Sequence, residues 1–118
     1  MTIRLTFAAA ALAAMTALPA AANAPVTKEE ACGYEAQVMA AVQKARLDKV
    51  AQDKVAEHLV ASSHAWPEQY NAAIPGMVDY IYQMKRRDLK ANDFGAIWNQ
   101  QCIDMWDQRQ QMIKQLNN

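Results

Sequence analysis

Apolar residues are distributed along this chain in two different ways. Residues 5–18 form an unbroken run dominated by Ala, Leu, Phe and Met, preceded by the single charge of Arg4. From about Lys28 onward apolar residues instead recur at spacings of three and four, the period of a helix with a buried face. Thr27-Lys28-Glu29-Glu30 predicts the start of a first helix as a capping box: the Thr27 hydroxyl accepts from the Glu30 amide while the Glu30 carboxylate reaches back. Along that helix Cys32, Ala36, Met39 and Gln43 make one stripe, and Tyr34, Val38, Ala41 and Ala45 a second on the far side. Two apolar stripes imply neighbours on both sides. Glu35 and Arg46 share an angular position on this helix but are too far apart for a direct local pair.

Asp-Lys-Val-Ala occurs twice, at residues 48–51 and 53–56, a five-residue offset that would rotate an apolar face out of register on one continuous helix. A break over residues 48–51 is therefore expected, followed by a helix over 52–62 burying Val55, Leu59 and Ser62. Ser62 to Pro67 reads as a loop. A short helix through Tyr70 should stop before Pro75, because a following proline disfavours helical geometry at Ile74. Pro75 can itself open a helix over 75–84, in which Val78, Ile81 and Tyr82 carry apolar surface beside Met77 and Tyr80. Residues 85–91 are charged and read as a corner between helices. A last helix, capped by Asp88 or Asn92, should then run to about Gln115, with Phe94, Trp98, Cys102, Met105, Trp106 and Arg109 along an aromatic stripe.

Composition agrees with this reading. The chain has three glycines, few β-branched residues beyond the leader, and many Ala, Gln, Lys, Met and acidic residues, a composition that favours helix over strand. The expected fold is all-α, a small bundle of four to five helices.

The apolar run changes the picture of the two cysteines. A charged start, an apolar middle and the small residues Ala20-Ala21-Ala22 match a secretory signal peptide over residues 1–22, leaving one helical domain over 23–118. Cleavage after Ala24 would place Pro25 just past the scissile bond, which hinders the peptidase. A retained anchor is disfavoured by the alanine-rich composition and by Pro19. No cysteine stands at the cleavage point to take a lipid, so no stable membrane insertion is expected once the signal is removed. The expected location is periplasmic or secreted. In that oxidising setting Cys32 and Cys102, the two cysteines of the chain, should pair as a disulfide between the first and last helices, the alternative being a bridge between two chains.

Charge and motifs exclude several functions. Basic and acidic residues number 12 each, and loss of Arg4 leaves a slight acidic excess, so nothing commits the chain to nucleic acid. The one basic cluster, Lys85-Arg86-Arg87 with Lys90, is interrupted by Asp88 and reads as a solvated corner. His58 and His64 do not share a helical face, and Met39, Met77, Met84, Met105 and Met112 are scattered rather than clustered as a copper site would need. Cys-x-x-Cys, haem-attachment and glycine-rich phosphate motifs are absent, and the acids sit in capping or solvent-facing contexts. No catalytic residue, metal or cofactor is therefore assigned, and the chain is not expected to be an enzyme. The candidate interaction surface is Trp66, Tyr70 and Trp106, aromatics able to line a groove for a protein partner as yet unknown.

Cys32, the helix through Ala45-Arg46, the Val78-Asp79-Tyr80-Ile81-Tyr82 segment and the helix carrying Cys102 together resemble small two-cysteine, exported, all-helical proteins of Gram-negative bacteria that carry no established function. Where that layout has a glycine after Arg46, this chain has Leu47-Asp48-Lys49-Val50. The resemblance implies the fold and the disulfide, and no catalytic residue. The expected role is a non-catalytic module that binds a protein or stabilises an envelope component. The alternatives are an acid-activated periplasmic chaperone and a metal or small-ligand carrier.

Overall fold

The computed structural model describes residues 26–118, so the leader expected over 1–22 lies outside the described residues. Among the described residues the fold is all-helical, with six α-helices: α1 (Lys28–Leu47), α2 (Val55–Ala61), α3 (Ile74–Tyr82), α4 (Arg86–Ala91), α5 (Phe94–Asp104) and α6 (Trp106–Leu116). Two 3-10 turns, Gln52–Lys54 and Glu68–Ala73, lead into α2 and α3. Cys32 and Cys102 form a disulfide with a Cα separation of 5.6 Å.

α1 is the central element. Its start is the expected capping box: Thr27 Oγ1 accepts from the Glu30 amide at 3.2 Å and Glu30 Oε2 accepts from the Thr27 amide at 3.3 Å. One face packs along α5, the other against α3 and the 3-10 turn before it. Both stripes are thus covered, with Cys32, Val38, Met39 and Val42 fully buried. The approach to α5 is close at Gly95, where a Cβ would lie 3.0 Å from the Ala36 carbonyl oxygen and 3.1 Å from the Ala40 Cβ.

The break after α1 falls where expected. The Val50 amide donates to the Ala45 carbonyl at 3.0 Å and the Lys49 amide to the Arg46 carbonyl at 3.1 Å, the paired bonds of a Schellman ending. The left-handed position of that ending is Lys49, with φ 64°. Lys49 thus fills a position that glycine ordinarily takes, at the cost of holding a β-carbon in a crowded conformation. Lys49→Gly is therefore expected to stabilise the fold by about 1 kcal/mol in urea unfolding. Arg86 completes the ending by donating from Nη1 to the Arg46 carbonyl at 3.1 Å and from Nη2 to the Leu47 carbonyl at 3.2 Å. A cation thereby sits at the negative end of α1.

Several expectations are corrected. The helix expected over 52–62 starts as a 3-10 turn, and Ser62 is exposed, its hydroxyl donating to the His58 carbonyl at 2.7 Å. Ile74 is helical (φ −57°, ψ −50°) despite Pro75, because its side chain is buried to 1 % exposure and Pro75 stands in the first turn, where its missing N–H leaves no bond unmade. The charged corner at 85–91 contains α4, which buries Leu89 to 1 % exposure. The last helix is divided at Met105, so the helix count exceeds four to five and the disulfide joins α1 to α5 rather than to the terminal helix. Its cap is Asp93, accepting from the Ala96 amide at 3.0 Å, rather than Asp88 or Asn92.

Gln43 fixes the turn between α4 and α5. Its amide nitrogen donates to the carbonyls of Leu89 (2.6 Å) and Asn92 (2.8 Å), and its oxygen accepts from the Phe94 amide at 3.1 Å. Gln43→Leu would strand these three backbone groups, and a loss of about 2 kcal/mol in urea unfolding is expected.

Candidate functional site

α6 differs from every other helix in the fold. It buries none of its own residues, and its apolar side chains are largely uncovered: Met112 is 60 % exposed, Ile113 43 % and Leu116 83 %, next to Met105 at 56 %. A helix with no buried face needs some other tie to its domain, and here the tie is ionic. Arg109 Nη2 donates to Glu35 Oε1 at 2.5 Å and Nη1 to Glu35 Oε2 at 3.1 Å, a two-pronged guanidinium–carboxylate pair. Trp98 Nε1 donates to Glu35 Oε2 at 3.0 Å. The Glu35 side chain is 10 % exposed and that of Arg109 44 %.

Burial alone would raise the Glu35 carboxyl. The hydrogen bonds from Arg109 and Trp98 and the charge of Arg109 outweigh it and hold Glu35 below its ordinary value of 4.5. Arg109 is correspondingly held above its ordinary value by the Glu35 hydrogen bond. The pair spans the division at Met105 (φ −100°, ψ 6°): Cys102 of α5 is pinned to Cys32 by the disulfide, and Arg109 of α6 meets Glu35, one turn beyond Cys32 on α1.

Two grooves border α6. One, of about 260 Å³, is lined by Trp98, Gln101, Cys102, Met105, Gln108, Arg109 and Met112. The other, of about 650 Å³, lies between α6 and the rest of the domain and brings Tyr70 and Trp106 together over Glu35 and Arg109. In that position burial, then the negative charge of Glu35, raises the Tyr70 phenol. The third aromatic singled out from the sequence, Trp66, does not join them. It is 7 % exposed in the core, stacked on His64 with centroids 4.4 Å apart, its Nε1 donating to Asn71 Oδ1 at 2.8 Å. Of the three, Tyr70 and Trp106 alone share a groove.

Other candidates have structural roles or no partners. His58 and His64 border one cavity of about 340 Å³, reached by His64 through the loop, but no group of three or more His, Cys, Asp or Glu able to hold a metal exists among the described residues. Met39 and Met77 are core, whereas Met105 and Met112 border the smaller α6 groove. Within the basic cluster Arg86 is committed to the end of α1. No helix among the described residues is long and apolar enough to cross a membrane. No family model, curated protein or solved structure matches the chain.

Proposed function

We propose that this chain is an exported, non-catalytic interaction module of the cell envelope, which docks a protein through α6. One observation carries the reading: α6 contributes nothing to the core yet presents Met105, Met112, Ile113 and Leu116 to solvent. Uncovered apolar side chains gathered on one element mark contact surfaces more often than scattered ones do. The apolar leader and the disulfide support export. A photo-crosslinking residue placed at Met112 in cells tests it. Protein adducts from that position, with none from Gln83 on the far end of α3, are expected; absence of any adduct at Met112 would sink the reading.

The Glu35–Arg109 pair favours a second reading, an acid-activated chaperone. A carboxylate held below 4.5 stabilises the docked α6 above that pH, and the stabilisation is lost as pH falls through the lowered value. Acid would then loosen α6 and widen the apolar surface. Suppression of client aggregation at pH 2–3 but not at pH 7 is its signature, and Glu35→Gln should move the onset to higher pH.

A further inference from the structure

The bridge between Cys32 and Cys102 is covered unequally at its two ends. Cys32 is 0 % exposed, whereas Cys102 keeps 7 % of its surface and borders the groove of about 260 Å³ along α5 and α6. Among the described residues no residue of α1 lines that groove, so Cys32, on α1, lies behind Cys102 as seen from it. Exchange between a thiol and a disulfide is a displacement at sulfur, in which the incoming sulfur approaches opposite the one that leaves. The groove is the side on which Cys102 offers that approach. We propose that this bridge exchanges with small thiols while the domain stays folded, and that Cys102 is the sulfur attacked, from the groove. The site is independent of whatever partner α6 docks.

A small thiol loses its proton to solvent, and its thiolate attacks Cys102 Sγ. A bond forms between these two sulfurs, the bond from Cys102 to Cys32 breaks, and its electron pair leaves on Cys32 Sγ, which takes up a proton. A second thiolate then attacks the sulfur of the first, releasing a small-molecule disulfide and the Cys102 thiolate. The bridge gains two electrons and the two thiols lose them. In reverse, a small disulfide is the oxidant that closes the bridge. The groove suits this chemistry. Arg109, the one charged residue in its lining among the described residues, sets Nη1 3.7 Å from Cys102 Sγ. Glu35 takes one N–H of that nitrogen, and the second remains for sulfur. A cation beside sulfur favours the negative charge that Cys102 carries when it is released. The remaining lining is apolar (Trp98, Met105, Met112) or neutral, so no carboxylate of the described lining repels an incoming thiolate.

The rate at which β-mercaptoethanol opens the bridge, followed in protein obtained from the full chain across urea concentrations well below the unfolding midpoint, tests the proposal. A bridge reached only in the unfolded chain would open at a rate that follows the unfolded fraction, rising about fivefold or more per molar urea. A change of less than about twofold over the first molar is expected instead, because the folded state itself reacts. A rate that climbs with the unfolded fraction from zero urea overturns the proposal. Two variants identify the sulfur. Cys32→Ala leaves Cys102 as the one thiol and Cys102→Ala leaves Cys32, and circular dichroism verifies that each is folded. With oxidised glutathione under native conditions, Cys32→Ala should form the mixed disulfide at least about tenfold faster than Cys102→Ala, since access decides which sulfur reacts. Equal rates, or a faster Cys102→Ala, overturn the assignment to Cys102 and its groove. If either variant fails to fold, the urea series on the intact bridge decides alone.

Discussion

Replacing Cys32 and Cys102 together by alanine is expected to lower the unfolding free energy by about 4 kcal/mol, the largest single effect foreseen for this fold. The two residues are 70 apart in sequence, so the bridge closes most of the described chain into one loop and removes many extended conformations from the unfolded state. Both cysteines are buried, Cys32 fully and Cys102 to 7 % exposure, but alanine removes only one sulfur atom at each place and so leaves only a small void. The loss should therefore come from the unfolded chain rather than from packing. Urea unfolding followed by circular dichroism distinguishes the two sources. A less compact unfolded state raises the dependence on denaturant as well as lowering the midpoint, whereas a packing defect lowers the midpoint alone. A domain of this size has about 5–15 kcal/mol in total, so the variant should melt about 20 °C earlier. A loss under about 1 kcal/mol would mean that Gln43 and the close contact at Gly95 already hold α5 on α1 without the bridge.

What could be read in advance follows the range of the interaction responsible. The capping box at Thr27, the two stripes of α1 and the break after Leu47 depend on residues within about two turns of each other, and each stands where the pattern puts it. The pairing of Cys32 with Cys102 is long-range, but two cysteines behind an apolar leader leave one connectivity within the chain. The Met105 division has no local sign, neither glycine nor proline, and the ion pair that ties α6 to α1 beyond it joins residues 74 apart. α4 was hidden by its charge: four of its six residues are charged, and it forms because Leu89 is buried and Gln43 holds its end. Glu35 was visible only as a charge aligned with Arg46 on the same helix. Its true partner, Arg109, sits in an aromatic stripe that passes for core. An arginine among tryptophans one and two turns from a cysteine was the available signal, and reading it required knowing that α6 passes Glu35 of α1. Of the three aromatics singled out from the sequence, Tyr70 and Trp106 border the larger α6 groove and Trp66 is buried in the core, whereas Met112 and Leu116, exposed on α6, carried no such signal.

Arg109→Met is expected to cost about 3 kcal/mol at pH 7 and to reverse the dependence of stability on pH. Breaking a buried ion pair from one side leaves the other charge stranded, and the figure sits at the low end of that class because Arg109 is 44 % exposed. In the native protein Glu35 titrates below 4.5, so its contribution is complete above that pH and is lost as the solution is acidified through the lowered value. Without Arg109 the balance at Glu35 changes sign: one hydrogen bond from Trp98 no longer outweighs burial, and the carboxyl rises above 4.5. A group whose folded value is raised contributes stability at low pH and loses it as pH climbs, so the variant should be more stable at pH 4 than at pH 7 as far as this pair is concerned. Glu35→Gln in the Arg109→Met background removes the stranded charge and should recover part of the loss, giving a coupling between the two positions that neither single change predicts. Because α6 has no buried residue of its own, the same variant should release it before the rest of the domain unfolds. Amide hydrogen exchange would register this as lost protection along α6 with α1 and α5 still protected. If α6 remains protected in Arg109→Met, the ion pair is not what holds it, and acid would have no route through Glu35 to the exposed apolar side chains of α6.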